Sequence, residues 1–255
     1  MIPQSIDEIG FLGEIFSSFQ GEGPLIGRRQ VFVRTAGCSL SCSYCDSPKF
    51  RRDVAFCGVE DPSVPGLFRQ ANNPVTLAWT MEQVFSLWTK GTHSVSITGG
   101  EPLCQPEFAE SLAMSCASEG RPVYFETNGF SKNRFSKLIP WIDFAAVDIK
   151  LPSSMATSKK KQGRLIENEL ACIEEASKKG VVTIAKIVIL DSTLKVEIER
   201  ICPRLEGLNV AVVLQPASGM QMPGPEKLTN LFETASEHLG DVVVIPQAHK
   251  MMGVL

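Results

Sequence analysis

The chain has 255 residues, 44% of them hydrophobic, and carries 25 lysines and arginines against 28 aspartates and glutamates for a net charge of −3. That length can bury a sizeable core, and a single α/β domain over residues 1–255 is expected. The near-balanced charge gives no broad basic surface for a nucleic acid, and no apolar run approaches the roughly eighteen residues of a membrane span.

In chain order, short runs rich in Val, Ile and Phe have the length and composition of strands: Gln30 to Ala36, His93 to Thr98, Pro122 to Thr127, Phe144 to Lys150, Val181 to Leu190, Asn209 to Gln215 and Asp241 to Pro246. Helical periods separate most of them. Thr80 with Gln83 gives a capping-box signal ahead of VFSLW, with Gly91 as the stop. Pro106 to Glu119 ends at Gly120, Leu165 to Lys179 at Gly180, and Pro225 to Leu239 at Gly240. Strands alternating with helices imply parallel pairing through right-handed crossovers. About six such units are too few for a closed eight-fold barrel, so the expected fold is α/β, a partial, splayed (β/α)6 TIM-like barrel with its site at the carboxyl ends of the strands. Two stretches break the rhythm. Residues 50–79 mix Pro, Asn, Gly and charge without periodicity and read as an insertion, and residues 153–163, SSMATSKKKQG, read as a mobile surface loop.

The run GCSLSCSYCDS places Cys38, Cys42 and Cys45 within eight residues, directly after the first strand of this series. Three thiolates at C-x3-C-x2-C spacing are one ligand short of a closed zinc site or a four-cysteine iron-sulfur cluster. A 4Fe-4S cluster held by three cysteines keeps one open iron, which a small molecule with an amine and a carboxylate can chelate. The competing reading is structural zinc completed by a histidine, but His93, His238 and His249 all lie far from the motif in sequence. Eight cysteines in this length, after a start MIPQSIDEIG without an apolar signal segment, argue against a disulfide framework and for the reducing cytoplasm.

Polar groups recur at later strand ends. ITGGEP, Ile97 to Pro102, pairs two glycines with Glu101; there the backbone allows close approach to a ligand and the carboxylate can accept from an amine. ETNG (Glu126 to Gly129), DIK (Asp148 to Lys150) and LQP (Leu214 to Pro216) end three further strands and can face a common ligand. Alone, each has an ordinary reading: a tight connection, a turn dipeptide, a surface ion pair.

Taken together, these motifs resemble the radical S-adenosylmethionine superfamily. The resemblance implies a 4Fe-4S cluster on Cys38, Cys42 and Cys45, with S-adenosylmethionine on the open iron and against Gly99, Gly100, Glu101, Asn128, Asp148, Lys150 and Gln215. It further implies a 5'-deoxyadenosyl radical that abstracts hydrogen from an unactivated carbon.

Both ends narrow the resemblance. FSSFQGEGPLIGR at Phe16 to Arg28, Arg34 in VFVRTAGC, and the tail PQAHKMMGVL are similar to the 7-carboxy-7-deazaguanine synthase family. That family contracts 6-carboxy-5,6,7,8-tetrahydropterin to 7-carboxy-7-deazaguanine in queuosine and other 7-deazapurine biosynthesis. Hydrogen is taken from C6, ammonia is lost, Mg2+ is used and S-adenosylmethionine is regenerated. The resemblance implies substrate contacts from Gln20, Glu22, Gly23, Arg34, Glu126, His249 and the terminal carboxylate of Leu255. It implies Mg2+ on Ser47 with Asp46, where the family's usual threonine is replaced by a serine that keeps the hydroxyl. A homodimer and a flavodoxin-like electron donor are the implied partners. Two alternatives stay open: a glycyl-radical activase, which shares the cysteine loop but has no use for QGEG or the PQAHK tail, and a non-catalytic iron-sulfur or zinc module.

Overall fold

The structure, a computed structural model, describes residues 8–218 and 222–254. β1 (Ile9–Gly10), β2 (Leu12–Phe19) and β3 (Arg29–Thr35) come first, followed by β4 (Phe56–Glu60), β5 (Phe68–Asn72) and β6 (Val75–Thr76). Strands and helices then alternate: α1 (Leu77–Leu87), β7 (Ser94–Gly99), α2 (Pro106–Ser118), β8 (Val123–Thr127), α3 (Lys132–Leu138), β9 (Phe144–Ile149), α4 (Lys159–Lys178) and β10 (Val182–Ile189). α5 (Lys195–Ile201), β11 (Val210–Pro216), α6 (Pro225–Ser236), β12 (Val242–Val244) and α7 (Ala248–Met252) complete the chain.

One sheet carries the order β12-β11-β10-β9-β8-β7-β3-β2-β4-β5, while β1 pairs with β6 in a separate two-stranded sheet. From β12 across to β3 every neighbouring pair is parallel, and β2 is antiparallel to β3. β12 and β5 lie at opposite ends of the order, so this is an open, mostly parallel α/β sheet, consistent with the partial barrel.

The period of two along each strand separates the faces of the sheet. Val31, Val33, Val95, Ile97, Phe125, Val147, Ile187 and Leu214 join Leu112, Phe135, Leu170, Ile173 and Leu231 of the helices in one continuous core. Phe125 and Phe135 are fully buried 6.3 Å apart, and each buried ring is worth about 2–3 kcal/mol. The alternate residues form the concave face. Tyr124, Ala146, Ile184 and Val213 make a small apolar floor, against which Leu25 packs. Beside and above that floor, β3 and β7 to β11 carry Arg34, Thr98, Glu126, Asp148, Lys186 and Gln215, which line a cavity.

Several expected boundaries move. α1 begins at Leu77 and its cap is Thr76, whose Oγ1 accepts from Trp79 N at 3.2 Å. Thr80 and Gln83 instead bond back to the carbonyls of Thr76 and Trp79, so they are interior residues, and the helix ends before Gly91. α6 stops at Ser236, short of Leu239. Segment 153–163 is not one surface loop: a 3-10 turn spans Pro152–Ser154, and Lys159 begins α4. Three lysines in the first turn oppose the helix dipole and hid this start. Residues 50–79 contain two strands that extend the sheet beyond β2. β5 is a largely exposed edge strand, FRQAN, and such polar edges carry no alternating signal.

Candidate active site

The cysteine loop follows β3 and is held by its backbone. Cys38 N donates to Arg51 O at 3.0 Å, Ser41 N to Ala156 O at 2.9 Å, and Ser43 N to Ser154 O at 3.1 Å. Arg51 Nη2 donates to Cys42 O at 2.6 Å. Cys38, Cys42 and Cys45 are free thiols, all part-exposed and all lining one cavity of about 470 Å3 at the carboxyl ends of the parallel strands. Burial pushes the Cys38 and Cys42 thiols above their ordinary range. The donor set fits a cluster on three thiolates, whose binding must release the protons that burial retains. Asn128 Nδ2 points to Cys38 Sγ at 3.9 Å.

The paired glycines act differently from expectation. A Cβ on Gly100 would meet Gly37 O at 2.2 Å and Phe50 O at 2.7 Å, and one on Gly99, whose φ is +125°, would meet Thr35 N at 2.3 Å. Their close approach is therefore to the backbone of β3 and the cysteine loop. Glu101 is 1% exposed, and its carboxylate accepts from Leu103 N (2.9 Å), Thr127 Oγ1 (2.6 Å) and Asn128 N (2.7 Å). Burial pushes it up to about 7 against those hydrogen bonds. Glu101 thereby ties the turn after β7 to the end of β8.

Next along the sheet, Asp148 Oδ2 accepts from Lys150 Nζ at 2.8 Å, and Lys150 Nζ lies 5.4 Å from the Tyr44 ring centre. Burial opposes the charge on Lys150, but Asp148, Tyr44 and Cys42 together hold the ammonium well above its usual range. The Lys150 backbone is gripped from α4, its N–H by Glu169 Oε2 at 3.2 Å and its carbonyl by Gln162 Nε2 at 2.5 Å. Among the described residues, Tyr44 Oη and Gln215 Oε1 are buried in the cavity wall without a hydrogen-bond partner, so a polar ligand has groups to meet there.

The amino-terminal loop and the tail close the other side. Gln20 lines the cavity, but its amide is committed to Gln30 Oε1 (3.0 Å) and its oxygen to Glu22 N (3.0 Å), so it shapes the loop. Ala248 N donates to Gly21 O at 2.8 Å, and a Cβ on Gly21 would come within 2.2 Å of His249 Nδ1. That glycine lets the tail helix seat His249 against the loop. Gly23 does not line the cavity; it opens a 3-10 turn over the floor, and a Cβ there would face Ile184 and the Tyr124 hydroxyl. Leu255 lies outside the described residues.

Arg34 lies 5.6 Å from the Phe16 ring centre and donates from Nη1 to Ser47 Oγ at 3.2 Å. Ser47 Oγ donates to Asp46 Oδ1 at 3.0 Å, and Gln247 Nε2 donates to Asp46 Oδ2 at 3.1 Å and to Glu22 Oε1 at 2.7 Å. Glu22, Asp46 and His249 each bring one ligand atom within 4.8 Å of the others. The oxygen donors at Asp46 and Ser47 suit a hard cation such as Mg2+.

Every described residue selected from the sequence lines this cavity except Gly23. Sequence reasoning missed four neighbours. Lys186 interrupts the apolar run VTIAKIVI, and Glu169 falls on the buried stripe Leu165, Glu169, Cys172, Ile173, Ala176; both anomalies were legible. Gln247 stood inside the tail motif beside His249, and Tyr44 inside the cysteine motif.

Residues 32–202 match the model of the Radical SAM superfamily, which defines the class of this fold and site. A 7-carboxy-7-deazaguanine synthase from Methanothermobacter thermautotrophicus is 34% identical, over 94% of this chain and 96% of its own length, and one from Geobacter sulfurreducens is 36% identical, over 96% and 97%. The chain belongs to the 7-carboxy-7-deazaguanine synthase family within that superfamily. Among solved structures, QueE from Escherichia coli is similar in fold, with a TM-score of 0.59 at 18% identity over 92% of this chain and 93% of that one. A radical SAM methyltransferase from Sphaerobacter thermophilus reaches 0.63 at 16% identity, covering 86% of this chain and 66% of that one.

Proposed function

We propose that this chain uses the cavity to convert 6-carboxy-5,6,7,8-tetrahydropterin to 7-carboxy-7-deazaguanine with loss of ammonia. The carrying observation is the meeting, in one cavity, of the cysteine loop and GGE turn with Glu22, Arg34, Glu126 and His249 from distant parts of the chain. The cluster and S-adenosylmethionine, when bound, supply the radical that takes hydrogen from substrate C6.

The protein's own groups bind, orient and exclude. Cys38, Cys42 and Cys45 hold the cluster; Gly99, Gly100, Glu101, Asn128, Asp148, Lys150 and Gln215 shape the place of the methionyl and ribosyl groups. Arg34 pairs with the substrate carboxylate, which has planar oxygens for its guanidinium. Glu22 and Glu126 accept from the N–H edge of the pterin, and His249 donates to an oxygen. Ser47 and Asp46 would hold Mg2+ through their oxygens, and the ion would supply positive charge toward the substrate carboxylate.

A homodimer working in the cytoplasm completes the proposal, and no helix among the described residues is long and apolar enough to cross a membrane. A flavodoxin-like donor delivers electrons. Lys159, Lys160 and Lys161 are exposed, a few residues beyond the turn that braces the cysteine loop, and give an acidic donor an electropositive approach. The test is anaerobic incubation of the reconstituted protein with carboxytetrahydropterin, S-adenosylmethionine, Mg2+ and reductant. Deazaguanine acid and equimolar ammonia are expected, with the rate falling when Mg2+ is chelated; an intact cluster without product refutes the substrate.

A further inference from the structure

Lys186 stands in the middle of β10 on the concave face and is 6% exposed. A lysine buried there without partners would surrender its proton. It has three carboxylates: Glu22 Oε2 at 2.5 Å, Asp148 Oδ1 at 3.2 Å, and Glu126 in direct contact. These come from the loop after β2, from β9 and from β8. Burial disfavours its charge, but Asp148, Glu126 and Glu22 together hold the ammonium well above the ordinary range.

The sheet register explains the reach. Lys186 stands opposite Asp148, while Glu126 stands opposite Ala146, which stands opposite Ile184. On the concave face Ala146 therefore lies between Glu126 and the β10 side chains, and its single methyl leaves the space through which Lys186 crosses β9. With Lys186 in place, every oxygen of both glutamates has one donor and keeps a lone pair for a second. Glu22 also accepts from Gln247 Nε2 at 2.7 Å, and Glu126 from Thr98 Oγ1 at 2.8 Å. Both carboxylates are thus oriented before any ligand arrives, which is how a site reduces the cost of ordering on binding.

We propose that Lys186 is a positioning residue for the substrate: its ammonium holds Glu22 and Glu126 side by side so that they accept from the pterin N–H edge as a pair. This rests on the function proposed above. Lys186 acts through the two glutamates, and Asp148 links it to Lys150 on the S-adenosylmethionine side.

The experiment measures product formation and substrate-free S-adenosylmethionine cleavage in wild type, Lys186→Met, Glu126→Gln, the double variant and Ala146→Leu. Lys186→Met should raise the substrate KM by roughly tenfold or more, the range for losing charge-assisted contacts. The KM for S-adenosylmethionine and the substrate-free cleavage should change several-fold less than the substrate KM, because Asp148 keeps its bond to Lys150. Ala146→Leu, which blocks the crossing but keeps the charge, should also raise the substrate KM. The double variant should cost no more than about twice what Lys186→Met costs, because the two residues act on one contact; it also relieves the carboxylate repulsion if Lys186→Met folds poorly. An unchanged substrate KM in Lys186→Met, fully multiplicative losses in the double variant, or a matching rise in the S-adenosylmethionine KM overturns the inference. Wild type that cleaves S-adenosylmethionine without making product overturns the underlying function instead.

Discussion

Cys42→Ala should abolish product formation and S-adenosylmethionine cleavage while leaving the apo-protein folded. The loop keeps its path through backbone contacts, Arg51 on the Cys42 carbonyl, Ser41 on the Ala156 carbonyl and Ser43 on the Ser154 carbonyl, none of which uses the sulfur. The thiol is part-exposed, so its removal from the apo-protein should change stability by less than about 1 kcal/mol. The cluster, by contrast, loses one of three ligands. Iron content and visible absorbance of anaerobically reconstituted protein, with an unfolding curve of the apo form, check both halves. A variant that holds about four irons and still turns over would show that these thiols are not the cluster's ligands.

The second large effect concerns Glu101. Its carboxyl is pushed up to about 7 by burial, from an ordinary value of 4.5 in the unfolded chain. The folded state therefore binds the proton more tightly. The stability this group contributes is complete below about pH 4.5 and is lost as pH rises through about 7, a change of about 3 kcal/mol. Glu101→Gln cannot titrate, so its unfolding free energy should lack this component over that window. Denaturant unfolding of both apo-proteins across the range tests it, and parallel pH slopes would refute it. The same substitution should raise the KM for S-adenosylmethionine at least about tenfold, since an amide cannot pair with a cationic amine as a carboxylate does.

Much of the architecture was legible because the central strands are buried on both faces and read as apolar runs. Strands β3 and β7 to β12 all fall where VFV, VSIT, VYF, AAVD, IAKIVI, AVVL and VVV announced them. β2 was obscured by Gly13, Ser17 and Ser18, β4 by its shortness and by Gly58 at its middle, and β5 by its place at the edge, where polar side chains face outward. The start of α1 was displaced because Thr76 and Thr80 both precede good helix, and only the structure reveals that Thr76 is extended and donates none of its helical geometry. Site residues were readable where several stood in one motif, as in GGE, DIK and the cysteine loop. Lys186 and Glu169 stood alone among apolar neighbours. A single charge in a buried strand or helix face has no partner in local sequence, and theirs lie on other elements: Glu22 is 164 residues from Lys186.

On the proposed function, the cavity aims a radical at one carbon of a pterin. The most direct measurement supplies carboxytetrahydropterin deuterated at C6 to the reconstituted enzyme and follows the label by mass spectrometry. Deuterium should appear in 5'-deoxyadenosine and in regenerated S-adenosylmethionine, at a rate that tracks product. Product formed with no label in either nucleoside, or cofactor cleaved with the label still on the substrate, would contradict the claim.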